Sequence, residues 1–302
     1  MIENSGNERD CIFLGDWFHS RNSLNVNTLQ YGINGIRKLA SHYDNVYMIL
    51  GNHDTYYRDS LEVNSVDFVK DYPNVHLISE ITEVGDYTFV PWLVGDMFTD
   101  VPKIKTKYVC GHFEMPGFLL NAMTTMPDNG KINLDSFQNN VEYIFSGHFH
   151  KRQVKTSRKG YEFHYVGNAF PHNYSDANDT LRGFCIMTDA PKYINWSTMP
   201  NYVTQSLSDI LNDRSSLNEK TYAKIKMDLN MSIEDANFVR ETIVNLYHTR
   251  EFVYQHERKE VTEYEVDDIS FDSVDDIVVK SLNNIESVSF DKNRLIQIYQ
   301  SL

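Results

Sequence analysis

Short apolar runs that end in polar residues are the most regular pattern along the chain. Residues 11–14 (CIFL) and 46–50 (VYMIL) run directly into Gly-Asp and Gly-Asn. Residues 108–110 (YVC) and 143–145 (YIF) run into Gly-His and Ser-Gly-His. Apolar runs of this length, bounded by turn residues, are typical of buried strands. The pattern therefore predicts four strands, each of which delivers polar side chains at its C-terminal end.

Helical spacing of apolar residues separates the first two predicted strands. The apolar positions over residues 27–42 are Leu29, Ile33, Ile36, Leu39 and Ala40. Residues at this spacing lie on one face of a helix, so the segment predicts a crossover helix. Strand, helix and strand together predict a βαβ unit.

Two further pairs of apolar segments are closely spaced along the chain. They are residues 75–78 with 87–90, and residues 161–166 with 183–188. Close spacing favours antiparallel pairing, because antiparallel strands need only a short connection. The expected fold class is α/β, a sandwich of two mixed β-sheets flanked by helices rather than a purely parallel sheet.

The pattern changes after about Pro191, where a second module begins. Residues 222–229 alternate between apolar and polar, which predicts a half-buried strand. Ser232 with Asp235 resembles a helix capping box, and an apolar stripe follows it. Residues 251–255 (EFVYQ) predict a returning strand. These elements predict a small α/β cap domain.

The C-terminal part of the chain contains an acidic run and two amphipathic segments. The acidic residues are Glu263, Glu265, Asp267, Asp268, Asp272, Asp275 and Asp276. With no basic residue among them, the run predicts a solvated linker. Residues 273–286 and 291–301 have apolar residues at helical spacing, and short amphipathic helices outside a core usually need a partner. The expected domains cover residues 1–195, 196–260 (the cap) and 261–302 (the linker and its helices).

Composition and charge narrow the classes of function. A chain of 302 residues, 41% hydrophobic and 23% charged, is typical of a globular protein with a large core and an appendage. The polar N-terminus and the absence of an apolar run of about 18 residues predict a cytoplasmic protein with no membrane role. The net charge of −14 argues against nucleic-acid binding over the whole surface but permits a local basic groove. Widely spaced Cys11, Cys110 and Cys185 are expected to be buried hydrophobic residues.

Four short motifs follow the four predicted strands. In chain order they are GDWFH at 15–19, GNHD at 51–54, GH at 111–112 and GHFH at 147–150. Each places a small residue, which lets the backbone approach a ligand, before Asp, Asn or His. Oxygen and imidazole donors of this kind suit manganese, iron or zinc in a hydrolytic site.

Each motif taken alone has an ordinary structural explanation. Gly-Asp after a strand is commonly an Asx turn, and Asn52 with Asp54 could cap a helix. A single histidine such as His112 or His148 is more often structural than a ligand. Recurrence of the same arrangement at four strand ends makes one shared site the favoured interpretation.

These motifs resemble those of the calcineurin-like metallophosphoesterases, whose pattern is D-x-H, GD, GNH[DE], GH and GHxH. The last four elements are present in this chain. The resemblance implies that Asp16 bridges two divalent metals and that Asn52, His112 and His148 complete one metal site. It implies that His150 serves the other metal.

Two further histidines would act on the substrate. The resemblance places His53 beside the scissile phosphate as general acid or electrostatic stabiliser. The segment GDWFHSRN departs from the GDxxDRG of phosphoprotein phosphatases and resembles the GDxFH of SbcD-type double-strand-break nucleases. In those nucleases the histidine that matches His19 points at the substrate phosphate, whereas a surface turn residue is the alternative here.

Longer segments resemble the small, nuclease subunits of tailed-phage recombination endonucleases. They are PW at 91–92, CGHFEMPGF at 110–118, SGHFHKRQ at 146–153 and YVGNAFPHNYSD at 165–176, followed by RGF at 182–184. The resemblance implies a DNA exonuclease and endonuclease for recombination and double-strand-break repair, with manganese, or else magnesium, as cofactor. It also implies a homodimer, a DNA-binding cap and a coiled-coil ABC-type ATPase partner of the SbcC class, docked through residues 273–301.

Basic residues near the motifs are the candidates for DNA contact. They are Lys151, Arg152, Lys155 and Arg21. Their closeness to expected metal ligands favours contact with phosphate, and a solvated hairpin face is the alternative. His172 and Tyr174 belong to a loop that either shapes the site or is purely structural.

The first family motif, D-x-H, does not occur in this chain. One expected metal position then keeps only Asp16 and His150, and such a site should bind its metal weakly. Three explanations compete: an incomplete gene product that lacks its first strand, a contribution from another chain, or a non-catalytic assembly subunit. We favour the first. A small-molecule phosphodiesterase is a further alternative, against which the GDxFH form and the cap domain count.

Overall fold

A computed structural model of the protein describes residues 1–120 and 124–255. The chain divides into two compact units, Met1–His256 and Glu257–Leu302, and the elements below belong to the first. The predicted linker and partner-binding helices within residues 261–302 lie outside the described residues. The predicted boundary between residues 195 and 196 stays a prediction.

The described residues contain fourteen strands and three α-helices. The strands are β1 Asp10–Phe13, β2 Asn45–Ile49, β3 Val75–Ile78, β4 Thr82–Val84, β5 Tyr87–Val90, β6 Tyr108–Gly111, β7 Tyr143–Ser146, β8 Gln153–Thr156, β9 Glu162–Tyr165, β10 Gly183–Met187, β11 Pro191–Asn195, β12 Asn201–Ser206, β13 Thr221–Lys226 and β14 Glu251–Gln255. The helices are α1 Val26–His42, α2 Leu207–Asn212 and α3 Ile233–Tyr247. None of these helices has the length and apolar character needed to cross a membrane.

The first sheet contains three parallel strands in the order β1-β2-β3. Helix α1 connects β1 to β2, as the helical spacing predicts. It begins after Asn25, whose side chain accepts a hydrogen bond from the backbone N–H of Asn27 at 2.9 Å. Ile36 and Leu39 of the helix share a buried cluster with Val46 of β2. The apolar face of the helix therefore covers one face of this sheet.

The second sheet contains six strands in the order β4-β5-β6-β7-β9-β8. Strands β5, β6, β7 and β9 are parallel neighbours, while β4 and β8 pair antiparallel at the two edges. Ile49 and Ile78 from the first sheet pack in one cluster with Phe89, Cys110 and Phe145 from the second. The predicted α/β sandwich is confirmed by these two packed sheets.

Both predicted antiparallel pairs are wrong. Residues 75–78 form β3, which pairs parallel with β2, whereas residues 87–90 form β5 in the other sheet. Strand β9 has β7 and β8 as neighbours, and β10 pairs with β11 instead. In both cases a short strand is the antiparallel neighbour instead: β4 pairs with β5, and β8 pairs with β9. These strands have three and four residues, too few for a clear alternating pattern.

A third sheet, β12-β13-β14, is parallel and lies where the sequence predicts a second α/β module. Helix α3 connects β13 to β14, and Ser232 caps it by accepting the N–H of Asp235 at 3.0 Å, as predicted. Ile225, Ile243 and Phe252 share the buried core of this module. The pattern does not reveal β12 and α2, because residues 201–212 mix polar and apolar positions without a clear period.

Candidate metal centre

Four loops at the carboxyl ends of parallel strands carry the motif residues. Strands β1 and β2 of the first sheet lead to Asp16 and Asn52, and β6 and β7 of the second lead to His112 and His148. Parallel strands end at the same edge of a sheet, so side chains that follow neighbouring strands converge there. The four side chains meet across the sandwich, two from each sheet.

The four side chains form a compact cluster of oxygen and nitrogen atoms. Asn52 Oδ1 lies 3.0 Å from His112 Nε2 and 3.0 Å from His148 Nδ1. Asp16 Oδ2 lies 3.3 Å from His112 Nε2. Donor atoms of Asp16, His112 and His148 all lie within 4.8 Å of one another. Because metal–ligand distances for these donors are about 2.0–2.2 Å, atoms at this spacing can share one cation.

His112 is held in the orientation that a metal ligand needs. Its side chain is fully buried, and Nδ1 lies 2.7 Å from the carbonyl oxygen of Leu14. A carbonyl can only accept, so Nδ1 carries a proton and donates it, and Nε2 faces Asp16 and Asn52. Metal-binding histidines commonly have their second nitrogen fixed in this way.

His148 contributes a second imidazole from a strained backbone. Its φ of 81° lies in the left-handed region, which costs a non-glycine residue roughly 1–2 kcal/mol. Its Nε2 is buried without a hydrogen-bond partner among the described residues, since the Glu114 carboxylate at 3.7 Å is too distant. His148 Nδ1, which lies 3.0 Å from Asn52 Oδ1, is therefore the nitrogen that faces the donor cluster, and Nε2 is directed towards Glu114.

Asp54 joins two of the four loops. The residue is 1% exposed, and its carboxylate accepts the backbone N–H groups of Asp16, Trp17 and Gly51 at 2.8, 2.8 and 2.9 Å. In return, the N–H of His53 donates to Asp16 Oδ1 at 2.8 Å. The loops after β1 and β2 therefore hold each other. The sequence pattern misses this role of Asp54, because two of its partners are 38 and 37 residues away.

Two motif glycines allow the loops to approach closely. A methyl group added at Gly51 would overlap with the carboxylate and backbone nitrogen of Asp16, and one at Gly147 with the carbonyl oxygen of Leu14. Neither position accepts a side chain unless the backbone moves. The glycines of GNHD and GHFH therefore have a steric role in forming the cluster.

The electrostatics of the cluster keep Asp16 ionised. Burial acts to raise the pKa of Asp16, but the charge and hydrogen bond of His112 outweigh it and hold that pKa below its usual range. Burial acts to lower the pKa of His112, yet the Asp16 carboxylate raises it above its ordinary value. Burial and the charge of Asp16 raise the pKa of Asp54 to about 6. An ionised Asp16 is the form that binds a cation, which would compete with a proton for His112 Nε2.

A second group of ligand-type side chains contains His150, His172 and Asp176, whose donor atoms also lie within 4.8 Å of one another. His150 Nδ1 lies 3.3 Å from Asp176 Oδ1, and the rings of His150 and His172 are 5.3 Å apart. Asp176 ends the short 3-10 helix Tyr174–Asp176. Asp176 lies outside the four motifs, although it belongs to the YVGNAFPHNYSD segment that carries the family resemblance.

The two candidate catalytic histidines lie against each other. The rings of His53 and His19 stack with centroids 5.3 Å apart and planes 13° apart. His53 Nδ1 lies 2.7 Å from the carbonyl oxygen of His19. Because the backbone of His53 also donates to Asp16, this pair is connected directly to the donor cluster.

Two of the candidate DNA contacts follow the GHFH motif directly. Lys151 is exposed. Arg152 is half-buried, with its guanidinium 4.2 Å from the centre of the Tyr193 ring and a hydrogen bond to the Asn195 side chain at 2.8 Å. These contacts hold Arg152 within the fold, whereas the exposed Lys151 is placed to meet a ligand from solvent.

The other two candidate DNA contacts make hydrogen bonds to backbone. Lys155 is exposed, and its Nζ donates to the carbonyl oxygen of Gly117 at 2.6 Å. Arg21 donates to the carbonyl oxygen of Asn52. The Arg21 guanidinium therefore lies beside the loop of a candidate ligand, which adds a positive charge near the donor cluster.

The donor set fits a divalent cation. Carboxylate, amide and imidazole groups are the ligands that manganese, iron and zinc accept in hydrolytic sites. The free cysteines Cys11, Cys110 and Cys185 take no part in either group. Burial raises the pKa of Cys11 and of Cys110 to about 12, so both stay neutral, as expected for buried hydrophobic residues. Cys185 is only half-buried, so the prediction of burial is wrong for this residue.

Comparison with known proteins gives a family match that covers strands β1 to β7 and the four motifs. The sequence model of the calcineurin-like phosphoesterase family matches residues 6–152. This segment contains all four motifs, and with them Asp16, Asn52, His112, His148 and His150. No curated protein matches the chain.

Proposed function

We propose that residues 6–152, which match the calcineurin-like phosphoesterase model, form a domain that hydrolyses phosphoesters with divalent metals, and that its substrate is DNA. In this proposal the chain is the nuclease subunit of an SbcD-type complex in recombination and double-strand-break processing. The observation that supports a nuclease most strongly is the stacking of His19 on His53 beside the donor cluster. The stacking brings the GDWFH loop into contact with His53, which the proposal places beside the scissile phosphate.

His53 is the proposed general acid. Its Nδ1 donates to the carbonyl oxygen of His19, so Nε2 is the nitrogen that can exchange a proton with the substrate. A protonated Nε2 can give its proton to the sugar oxygen that leaves when the P–O bond breaks. His19, which is exposed and stacked on this ring, contacts the substrate phosphate in the proposal.

The donor residues hold and orient the metals. Asp16, Asn52, His112 and His148 would hold one cation. Asp16 with His150 would hold the other, an assignment that rests on the family resemblance. Divalent cations, manganese or else magnesium in this proposal, polarise the phosphoryl oxygen and activate water when bound.

The wider assembly is also part of the proposal. In this proposal DNA contacts the cap over residues 196–260 and four cationic side chains, those of Lys151, Arg152, Lys155 and Arg21. Residues 273–301 bind an SbcC-type ATPase, and the chain forms a homodimer. These parts rest on the family resemblance and on the exposed position of Lys151 next to the candidate ligand His150.

The direct test is cleavage of end-labelled duplex DNA and circular single-stranded DNA by the full chain. The reaction is run with manganese, magnesium or a chelator, beside a small chromogenic phosphodiester. We expect metal-dependent cleavage of DNA that is lost in Asp16→Asn. Cleavage of the small diester alone would overturn the DNA substrate and favour a small-molecule phosphodiesterase. Metal binding without cleavage of either substrate would favour a non-catalytic assembly subunit.

A substitution at His53 separates chemistry from metal binding. We expect His53→Ala to reduce the rate of DNA cleavage by roughly 10²–10⁴-fold, the usual contribution of a general acid. Manganese affinity should stay within about twofold, because only the backbone of His53 contacts Asp16. Single-turnover cleavage and manganese titration measure the two effects. His42→Ala, at an exposed position on α1, is the matched control. Unchanged turnover in His53→Ala would exclude the assigned role.

A further inference from the structure

Asp176 is a buried carboxylate in contact with a candidate metal ligand. Its side chain is 4% exposed, and Oδ1 lies 3.3 Å from His150 Nδ1. Burying a carboxylate is costly unless partners satisfy it. The residue is outside the four motifs, so its burial next to His150 calls for a physical reason.

Both oxygens of Asp176 are engaged by donors. Oδ1 faces His150 Nδ1 and lies 3.2 Å from Arg182 Nη2, and Oδ2 accepts the backbone N–H of His172 at 2.9 Å. A dication bound directly by Asp176 would lie close to the Arg182 guanidinium and be repelled by it. Asp176 is therefore better suited to accept a proton donor than to bind a metal.

Arg182 fixes this carboxylate relative to the ligand loop. Its side chain is 1% exposed, and Nη1 donates to the carbonyl oxygen of His150 at 2.7 Å. Nη2 also pairs with Asp179 at 3.1 Å. The guanidinium thus contacts the backbone of His150 and the carboxylate that faces the ring of His150. Planar guanidinium groups suit such two-sided contacts, because their donors have a fixed geometry.

We propose that Asp176, held by Arg182, is a positioning residue that keeps the proton of His150 on Nδ1, so that Nε2 is the nitrogen presented to a divalent metal. A carboxylate or carbonyl that accepts the second N–H of a ligand histidine fixes its tautomer and its ring orientation. His112 has the same arrangement, with the Leu14 carbonyl as acceptor. The inference rests on the proposed role of His150 as a metal ligand.

The tautomer of His150 is the first test, and it needs no metal. Long-range proton–nitrogen spectra of the ¹⁵N-histidine-labelled, metal-free chain report which ring nitrogen carries the proton. The resonance is assigned by its loss in His150→Gln. We expect the Nδ1–H form in the unaltered chain and a mixture of both forms in Asp176→Ala. An Nε2–H form in the unaltered chain, or no change in Asp176→Ala, would overturn the inference.

Manganese binding, followed by titration, is the second test. We expect Asp176→Ala to weaken one manganese site by roughly 10–100-fold while the number of sites stays the same. Asp176→Asn keeps an acceptor oxygen, so it should retain part of the manganese affinity. This variant provides the measurement if Asp176→Ala fails to fold. Asp179→Asn is the matched control, because it removes a negative charge that pairs with Arg182 without touching His150, and it should bind manganese normally.

The remaining outcomes separate this inference from the proposed function. Complete loss of the site in both Asp176→Ala and Asp176→Asn would make Asp176 a ligand and overturn its positioning role. Equal weakening in Asp179→Asn would indicate a general effect of Arg182 on folding and also overturn it. If His150→Gln leaves manganese binding unchanged, the ligand role of His150 in the proposed function fails, while the tautomer measurement still tests the contact with Asp176.

Discussion

Asp54 determines, at the scale of single residues, how the first two ligand loops meet. Its carboxylate accepts four backbone N–H groups, three of which belong to the loop after β1. We expect Asp54→Ala to lower the free energy of unfolding by at least about 3 kcal/mol, because these buried donors lose their acceptor. Urea denaturation measures this loss. Asp59→Ala, at an exposed position of the same segment, should change it by less than about 0.5 kcal/mol. Equal losses in both variants would contradict the role of Asp54.

His164 gives the stability of the protein a pH dependence away from the metal centre. It is 4% exposed, with Nδ1 2.7 Å from the Tyr193 hydroxyl and Nε2 2.9 Å from a Glu162 carboxylate oxygen. Burial lowers the pKa of His164 below its ordinary value of 6.5, although Glu162 opposes the shift. The unfolded chain therefore binds this proton first. Its stability contribution is full above about pH 6.5 and is lost as the pH falls towards the folded-state pKa.

The variant His164→Gln isolates this effect. Glutamine can contact Tyr193 and Glu162 as histidine does, but its side chain does not gain a proton between about pH 5 and pH 8. We expect the stability advantage of the unaltered chain over His164→Gln to shrink as the pH falls from about 8 to about 5.5. Urea denaturation at a series of pH values measures it. An advantage that grows at low pH would contradict the sign of the shift.

The residue types of the donor cluster could be predicted, but their supporting contacts could not. Strand-end motifs indicate Asp16, Asn52, His112 and His148 because each lies two or three residues after an apolar run. Asp54 and Asp176 act through partners that are distant along the chain or in an irregular loop. No short-range pattern encodes such contacts, since they depend on how the sheets pack.

At the scale of elements, Gly147 sets how closely β7 and the end of β1 approach. A methyl group at this position would overlap with the carbonyl oxygen of Leu14. We expect Gly147→Ala to cost about 1–3 kcal/mol and to weaken manganese binding, because His148 is the next residue. Gly85→Ala is the control, because open space surrounds a methyl group at this position. The φ of 58° at Gly85 makes the substitution cost about 1 kcal/mol without any steric overlap. Calorimetry and manganese titration compare the two; normal manganese affinity in Gly147→Ala would contradict the steric role.

Elements with a strong period could be predicted, whereas strand partners could not. Helix α1 and strands β1 and β2 follow from local spacing, because a βαβ unit has its periodicity within one short segment. The partners of β5 and β9 depend on the short strands β4 and β8, which have almost no local signal. Closeness along the chain was therefore a poor guide to pairing, and the mixed six-stranded sheet depends on long-range packing.

At the scale of the whole molecule, a net charge of −14 makes DNA binding depend on local cations. We expect Lys151→Ala to weaken binding and to reduce the slope of log affinity against log salt by about 1, the value for one phosphate contact. Fluorescence anisotropy measures this in the Asp16→Asn background, where cleavage is prevented. Lys70→Ala, which removes a cation paired with Asp67, is the control. An unchanged slope would remove Lys151 from the set of DNA contacts.

The donors of the cluster come in equal number from two different sheets, Asp16 and Asn52 from one and His112 and His148 from the other. A cation held by all four would tie together positions as far apart as 16 and 148, and so act as a reversible cross-link. Closing long loops is entropically unfavourable for an unfolded chain, which makes such a cross-link stabilising. Depletion of the metal in a cell would then lower the amount of this protein, because the less stable chain is degraded by proteases. This loss would add to the loss of catalytic activity.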